Sequence, residues 1–254
     1  MTTTLETLNK DCLLMIFSYL SLKDLIMVEK VCEKFSDIVV YAVLPYEVKY
    51  QGILDLSCLA YLDINRKQVR RIYSKAKPMI HSLRFSGAHR EPFPQFFIPI
   101  FRCKRSFTNL QHLYIENFDM SQENTCIYLA RFSGNFKLKT LKLENCFLED
   151  RLIAVILMYV TKLESLSLAF NPKIDGWCLR FCWDLKELNL TGCKLLKNVE
   201  FEQFCARNST LKRLFIKGTK ISLNLVQESL LELEELEVEY GRKLMELIGC
   251  FRIF

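Results

Sequence analysis

One spacing of apolar residues recurs along most of this 254-residue chain and constrains its fold more than any other feature. Two residues separate the first apolar position from the second, and one residue separates the second from the third. The pattern occurs at Ile80-Leu83-Phe85, Leu110-Leu113-Ile115, Leu138-Leu141-Leu143, Leu163-Leu166-Leu168, Leu185-Leu188-Leu190, Leu211-Leu214-Ile216 and Leu233-Leu236-Val238. Units of 22–30 residues cannot bury their apolar faces singly, so the spacing predicts a stacked solenoid.

The position three residues after each triad carries a second signal. In the middle four units it holds Cys146, Asn171, Cys193 and Thr219, which can hydrogen-bond the backbone where a strand turns away. Ala88 and Phe118 take this position in the first two units, and Pro92, Pro94 and Pro99 predict an irregular connection between them.

This pattern resembles the leucine-rich repeat in its cysteine-containing, irregular form. The resemblance implies an α/β fold with a parallel sheet on the concave side and largely helical segments on the convex side. We predict convex helices at 122–131, 149–159, 198–206 and 223–230. We also expect Leu141, Leu166 and Leu188 to be buried, and Lys142 and Ser167 to be exposed.

The N-terminal stretch 8–35 is too apolar to bury its own side chains. Leu13, Ile16, Phe17 and Leu20 recur at helical spacing, and Ser21 with Asp24 is spaced as a capping box before a second helix. About 40 residues rarely close a core alone, so surplus apolar surface remains. This surface either docks on a partner or packs against the rest of the chain.

The order of residues in this stretch resembles the F-box, the three-helix module that docks on the Skp-type adaptor of cullin-RING ubiquitin ligases. Asn9 stands where the family usually has Pro, and Phe35 where it usually has Trp; Asn is a good helix N-cap and Phe fills an aromatic position. The resemblance implies that Leu8, Asn9, Leu13, Ile16, Phe17, Leu20, Leu22, Leu25, Val28 and Phe35 form the adaptor-binding surface.

Three regions follow from these patterns: an F-box-like helical module at 1–47, a helical flank at 48–79 and about seven irregular repeats at 80–254. Net charge is −2 over residues 1–45, +7 over 46–137 and +1 over 138–254. We predict a basic helix at 65–77, whose cations either face an acidic partner or only contact solvent. No series of aromatic residues for stacking bases accompanies it, which disfavours nucleic acid as a partner.

The cysteines and the hydropathy indicate the compartment. Eleven cysteines, several at apolar positions, favour buried free thiols in a reducing environment, the cytoplasm or the nucleus. Charges interrupt the apolar runs, and the N-terminus lacks a basic signal region, so we expect neither a membrane span nor a signal peptide.

Residues that could carry chemistry are few. The histidines are His81, His89 and His112, and no nucleophile motif accompanies them. Cys178 and Cys182 share a helical face, but zinc sites normally show paired ligands at both ends of the span, so core packing is the better interpretation. Without a phosphate-binding glycine loop either, we expect a non-enzymatic chain with no cofactor.

The residues between the apolar positions of each strand point outward and form the concave face. Arg213, Phe215 and Lys217 there should face an acidic row at Glu235, Glu237 and Glu239. The predicted target-binding residues are His112, Tyr114, Lys142, Asn189, Arg213, Phe215, Lys217, Glu235 and Glu237.

The F-box resemblance implies a substrate receptor that binds the adaptor, and through it the cullin, and holds an unidentified target protein on the repeats. The alternative is a non-catalytic scaffold for protein or nucleic acid, with the N-terminal helices acting as a cap. The two differ in whether the apolar N-terminal side chains face solvent or the first repeat.

Overall fold

The computed structural model describes residues 4–39, 52–57, 79–92, 107, 109–133 and 138–238. Within these ranges the chain forms an N-terminal group of helices and one sheet of eight parallel strands. The predicted basic helix at 65–77, Pro94, Pro99, Glu239 and the C-terminal tail lie outside the described residues.

Three short helices form the N-terminal module: α1 (Lys10–Phe17), α2 (Leu22–Glu29) and α3 (Glu33–Ile38), preceded by a 3-10 turn at Leu5–Thr7. Phe17 and Phe35 meet edge to face, with ring centroids 5.2 Å apart, and both side chains are buried. Such aromatic pairs contribute about 0.5–1.5 kcal/mol beyond their buried area. The pair belongs to one cluster of buried apolar side chains that also includes the core of the repeats.

Side chains and one lysine fix the ends of these helices. Asn9 caps α1, since its Oδ1 accepts a hydrogen bond from the Cys12 backbone N–H at 2.8 Å. Ser21 Oγ accepts from the Asp24 N–H at 3.3 Å and donates to the Asp24 carboxylate at 2.6 Å. Lys34 Nζ donates to two backbone carbonyls of the segment before α1 and ties α3 to it.

The sheet contains one strand more than the repeat pattern predicted. Its strands stand side by side in chain order and pair in parallel. They are β1 (Ile53–Asp55), β2 (Ser82–Pro92), β3 (His112–Asp119), β4 (Thr140–Glu144), β5 (Ser165–Ser167), β6 (Glu187–Asn189), β7 (Arg213–Phe215) and β8 (Glu235–Glu237). Strand β1 lies inside the stretch predicted to be a helical flank, so the sheet begins before residue 80.

Strand β2 also differs from the expectation. Pro92 was predicted to start an irregular connection, whereas β2 continues to that residue and pairs Pro92 with Asp119. A shift of register between Ser86 and Glu91 separates this outer part of the strand from the regular ladder. Irregularities of this kind let a strand bend while pairing resumes beyond them.

The apolar triads form the core, as the spacing predicted. Leu141, Leu166 and Leu188 are aligned by the strand pairing and fully buried, and Val238 is the one triad residue that stays partly exposed. Four helices cover the convex side, close to their predicted positions: α4 (Glu123–Ser133), α5 (Asp150–Leu157), α6 (Asn198–Cys205) and α7 (Leu223–Ser229). A 3-10 segment at Trp177–Phe181 takes the place of a helix between α5 and α6.

The position after each triad holds the predicted hydrogen bonds. Asn171 is fully buried, and its Nδ2 donates to the carbonyls of Leu143 at 2.7 Å and Leu168 at 2.9 Å. Its Oδ1 accepts from the backbone N–H groups of Cys146 and Leu148. Weaker thiol bonds replace the amide in the flanking units, where Cys146 and Cys193 donate to backbone carbonyls. One side chain therefore joins two neighbouring repeats.

A left-handed residue stands two positions after the triad in five successive units. These residues are Asn117, Asn145, Phe170, Gly192 and Gly218, with φ between 54° and 73°. Asn and Gly tolerate this conformation, whereas a bulky aromatic in it is strained. The turn helps to join neighbouring repeats, because the N–H of Phe170 donates to the Thr191 carbonyl of the next repeat at 2.7 Å.

Candidate functional site

The predicted adaptor-binding residues divide by exposure. Leu13, Phe17, Leu25 and Phe35 are buried and belong to the hydrophobic cluster that also includes the repeat core. Leu8, Leu20, Leu22 and Val28 are partly buried, and Asn9 and Ile16 are exposed. The exposed side chains are the ones that a partner can contact directly, and the buried ones position them.

Further apolar side chains in this module are exposed. Tyr19 is 86% exposed and Met15 67%, and they lie four residues apart on one side of α1 and its C-terminal turn. Met27 and Val31 repeat that spacing on α2 and its turn, and both are at least half exposed. We call these four residues and Ile16 together the N-terminal apolar patch.

The sequence contained a sign of this patch. Met15 and Tyr19, like Met27 and Val31, repeat at four-residue spacing off the main apolar stripe, a second stripe that a helix with one buried face does not need. The apolar residues of the patch are exposed to solvent, whereas the outer face of a purely structural cap is expected to be polar.

The predicted target-binding residues lie on the outward rows of the sheet, as expected. The strand pairing aligns His112, Arg213 and Glu235 in one row. A second row, two residues further along the strands, holds Tyr114, Lys142, Asn189, Phe215 and Glu237. Lys217 follows the end of β7 and is exposed.

One expectation for this face was confirmed and another was wrong. Arg213 lies beside Glu235 of the last strand, as predicted, but its guanidinium donates twice to the carboxylate of its other neighbour, Glu187, at 2.6 and 3.0 Å. Ser167 was predicted to be exposed, but it is buried and donates to Glu144 at 2.5 Å. Phe215 beside Arg213 is half-buried. The cation that was expected to meet a target is thus already paired within the sheet.

The other end of the concave face contains a cavity of about 270 Å³. The Arg84 guanidinium lies 4.8 Å from the centroid of the Tyr114 ring, and Lys142 Nζ lies 5.7 Å from it. Within the described part of the chain, neither cation has a carboxylate oxygen within 4 Å. The cavity is lined by Asp55, Ser57, Arg84, Phe85, Ser86, Tyr114, Glu116 and Lys142.

Carboxylates stand beside these cations: Asp55 is aligned with Arg84 in the same row, and Glu116 and Glu144 are in the next row. Glu116 pairs with Glu144 across β3 and β4, and partial burial followed by the charge of Glu144 raises the pKa of Glu116 above its ordinary value. Asp55 is engaged locally, since its Oδ1 accepts from the N–H and the hydroxyl of Ser57. Sequence reasoning placed all four of Arg84, Tyr114, Glu116 and Lys142 on the outward face but selected only Tyr114 and Lys142 as target-binding residues.

The histidine in this region has a structural partner. His112 Nδ1 lies 3.0 Å from the Thr140 hydroxyl of the next strand. Burial, and then the charge of Lys139, lowers the pKa of His112, so its ring is neutral at pH 7. A neutral, hydrogen-bonded imidazole at this position supports the sheet.

The buried thiols are unsuited to nucleophilic chemistry. Burial raises the pKa of Cys126, Cys146, Cys182, Cys193 and Cys205 to about 12. Burial also raises the pKa of Cys178, so all six remain protonated thiols at neutral pH. Cys178 and Cys182 pack in the core at the 3-10 segment, and within the described ranges no group of three or more His, Cys, Asp or Glu side chains is placed to hold a metal ion.

Comparison with known proteins identifies the N-terminal module and the fold. Residues 10–48 match the family model described as F-box-like. The crystal structure of a TLR13–ssRNA13 complex has a TM-score of 0.50 and 19% identity, over 65% of this chain and 26% of that chain. That of the Rad7 and Elc1 complex in yeast has a TM-score of 0.48 and 15% identity, over 68% and 53%. The chain thus spans about a quarter of the first of these chains and about half of the second. No curated protein sequence matches it.

The chain therefore contains an F-box-like module followed by a leucine-rich-repeat-like sheet with helices on its convex side. Among the described helices, none combines the length and the apolar character needed to cross a membrane.

Proposed function

We propose that this chain, which joins an F-box-like module to a leucine-rich-repeat-like solenoid, is the substrate-recognition subunit of a Skp–cullin–F-box ubiquitin ligase. The module would hold the Skp-type adaptor, and the concave face would hold a target protein. Ubiquitination would then be accelerated because target and ubiquitin-charged enzyme share a high effective concentration, without chemistry by this chain. The cysteine usage fits a cytoplasmic or nuclear location.

The observation that carries this proposal is the N-terminal apolar patch on a module that matches the F-box-like family. Large apolar side chains left in water on a helical module are typical of a docking surface. Central apolar anchors of an interface contribute about 2 kcal/mol or more each when they are truncated. Ile16, Met15 and Tyr19 are placed to serve as such anchors on α1.

Replacing Met15 and Tyr19 by Glu tests the proposal. We expect the parent chain to co-purify with a Skp-type adaptor and the Met15→Glu, Tyr19→Glu variant to lose it, because two charges would be buried at an apolar interface. Both side chains are more than 60% exposed, so the fold should persist, which circular dichroism and a thermal melt would verify.

The repeat region offers a matched control with the same residue types. Met158 and Tyr159 follow α5 and are 60% and 54% exposed. A Met158→Glu, Tyr159→Glu variant should bind the adaptor like the parent. Equal adaptor binding by all three proteins, or none by the parent, would contradict the proposed docking surface and favour the scaffold alternative.

A further inference from the structure

The cations along the sheet differ in whether they form ion pairs with neighbouring carboxylates. Towards the C-terminal end of the sheet, cations pair with carboxylates of neighbouring repeats: Arg213 with Glu187, and Lys212, just before β7, with Glu234, just before β8, at 2.6 Å. Arg84 and Lys142, towards the N-terminal end, lie on either side of the Tyr114 ring. Asp55 is the strand neighbour of Arg84, and Glu116 is close enough to interact with the charges of both cations, but among the described residues no carboxylate oxygen lies within 4 Å of either cation. The sheet therefore leaves two cations available to an external anion at one place, beside a cavity.

Cation–π contacts with the Tyr114 ring restrict the positions of the Arg84 and Lys142 side chains. The three residues are adjacent in one row, because strand pairing aligns Arg84 with Tyr114 and Tyr114 with Lys142. Neighbouring strands lie about 4.8 Å apart, so the long side chains of Arg84 and Lys142 can both contact the Tyr114 ring. Side chains held this way lose less conformational entropy when they bind a ligand.

The charges around the cavity restrict what can occupy it. Its charged lining residues are the cations Arg84 and Lys142 and the carboxylates Asp55 and Glu116. Such a balanced set has no net positive charge to attract a polyanion, which disfavours the phosphate backbone of a nucleic acid. A single anionic group fits the cations, and a basic group beside it fits Glu116 and Glu144, which stand one row away.

We propose that Arg84, Tyr114 and Lys142 bind one anionic side chain of a target protein, a carboxylate or a phosphate, while Glu116 and Glu144 receive a basic residue next to it. The volume of about 270 Å³ suits the side chains of one or two residues. This inference deepens the proposed function and rests on it for the identity of the ligand as a target protein. The main contact with the target would then lie at the N-terminal end of the concave face, and not at the C-terminal end near Arg213.

The experiment uses the full chain co-purified with a Skp-type adaptor and, as the probe, a phage-displayed library of random dodecapeptides. Selected peptides are then synthesised with Glu, phosphoserine or Gln at the acidic position, and their dissociation constants are measured by fluorescence anisotropy. The Glu and phosphoserine peptides separate carboxylate from phosphate as the preferred group. The parent is compared with Arg84→Gln, Lys142→Gln and with a control, Lys186→Gln, Lys212→Gln, which removes two cations already paired with Glu164 and Glu234.

We expect selection of peptides in which an acidic residue adjoins a basic one, and about tenfold or greater weakening in the Arg84, Lys142 variant, since one charge-assisted hydrogen bond is worth about that factor. The control variant should bind like the parent. Unchanged affinity in the Arg84, Lys142 variant, an equally bound Gln peptide, or no selected peptide at all would overturn the inference. Co-purification with the adaptor is scored separately, so the proposed function can survive that result.

Discussion

At the scale of single residues, the left-handed position after each strand is where side-chain identity matters most. Phe170 occupies it at a φ of 60°, and its ring lies over Gly192, which has a φ of 73°. A Cβ built on Gly192 would lie 2.9 Å from Phe170 Cδ1, whereas one on Gly218 meets nothing nearer than 3.6 Å. The two glycines therefore share a conformation but differ in their neighbours.

This difference predicts unequal costs for two alanine substitutions. Gly218→Ala should destabilise the protein by about 1–2 kcal/mol, the cost of the left-handed conformation. Gly192→Ala should cost more, because the Phe170 ring must also move. Urea unfolding of both variants, repeated in a Phe170→Ala background, measures the contact. If the excess cost of Gly192→Ala survived in that background, the ring would not be its cause.

Asn171 is another residue whose side chain the structure requires, because its amide both donates and accepts hydrogen bonds in the core. Its amide serves backbone groups of two repeats while fully buried, so Asn171→Leu leaves several of them without a partner. At about 1–3 kcal/mol for each unsatisfied group, we expect a loss of at least about 3 kcal/mol in unfolding free energy. The control is Asn224→Leu on the exposed side of α7, which should stay within about 0.5 kcal/mol of the parent. Similar losses in both variants would contradict the bridging role.

At the scale of strands, two glutamates, Glu116 within β3 and Glu164 just before β5, should respond oppositely to pH. Burial and Glu144 raise the pKa of Glu116, so the folded state resists ionisation and this site loses stability as the pH rises from acid to neutral. A hydrogen bond from Lys186 lowers the pKa of Glu164, so this site contributes stability above the ordinary pKa of Glu and loses it as the pH falls through the lowered value.

Glutamine variants test whether the charge of each glutamate stabilises or destabilises the folded protein. At pH 7, Glu116→Gln should be more stable than the parent and Glu164→Gln less stable. Both differences should shrink in acid, where the parent carboxyls are protonated in the folded and unfolded states. Urea unfolding between pH 3 and pH 7 provides the comparison. A Glu116→Gln variant that is less stable than the parent at pH 7 would mean that this carboxylate has a stabilising partner.

At the scale of the whole molecule, the N-terminal apolar patch and the site at Arg84, Tyr114 and Lys142 belong to different parts of the chain. Substitutions in one should therefore leave binding at the other intact. Met15→Glu, Tyr19→Glu should abolish adaptor binding and keep target capture, whereas Arg84→Gln, Lys142→Gln should do the reverse. Proximity labelling in cells with each variant and the parent, scored for adaptor and for shared target proteins, measures both. An Arg213→Glu, Phe215→Ala variant tests the C-terminal end of the arc; if it alone lost the targets, the contact would lie there.

The sequence by itself determined the repeating part of the fold. Each triad and each polar residue after it obeys a short local rule, because a buried strand position accepts only apolar side chains and a buried turn needs a hydrogen-bonding one. Leu166 and Asn171 were therefore predictable, and so was the N-cap at Asn9. Strand β1 was missed because Gln51 stands three residues before Leu54, where the pattern requires an apolar residue.

Only the tertiary structure decided which polar side chains are paired. Arg213 has an acidic neighbour on either side in its row, Glu187 and Glu235, and local sequence cannot choose between them. Arg84 and Lys142 come from different repeats, and only the parallel register puts them on either side of Tyr114. Pairing within the sheet depends on side-chain positions in three dimensions, and this is why the cations that remain open to a partner could be identified only in the folded chain.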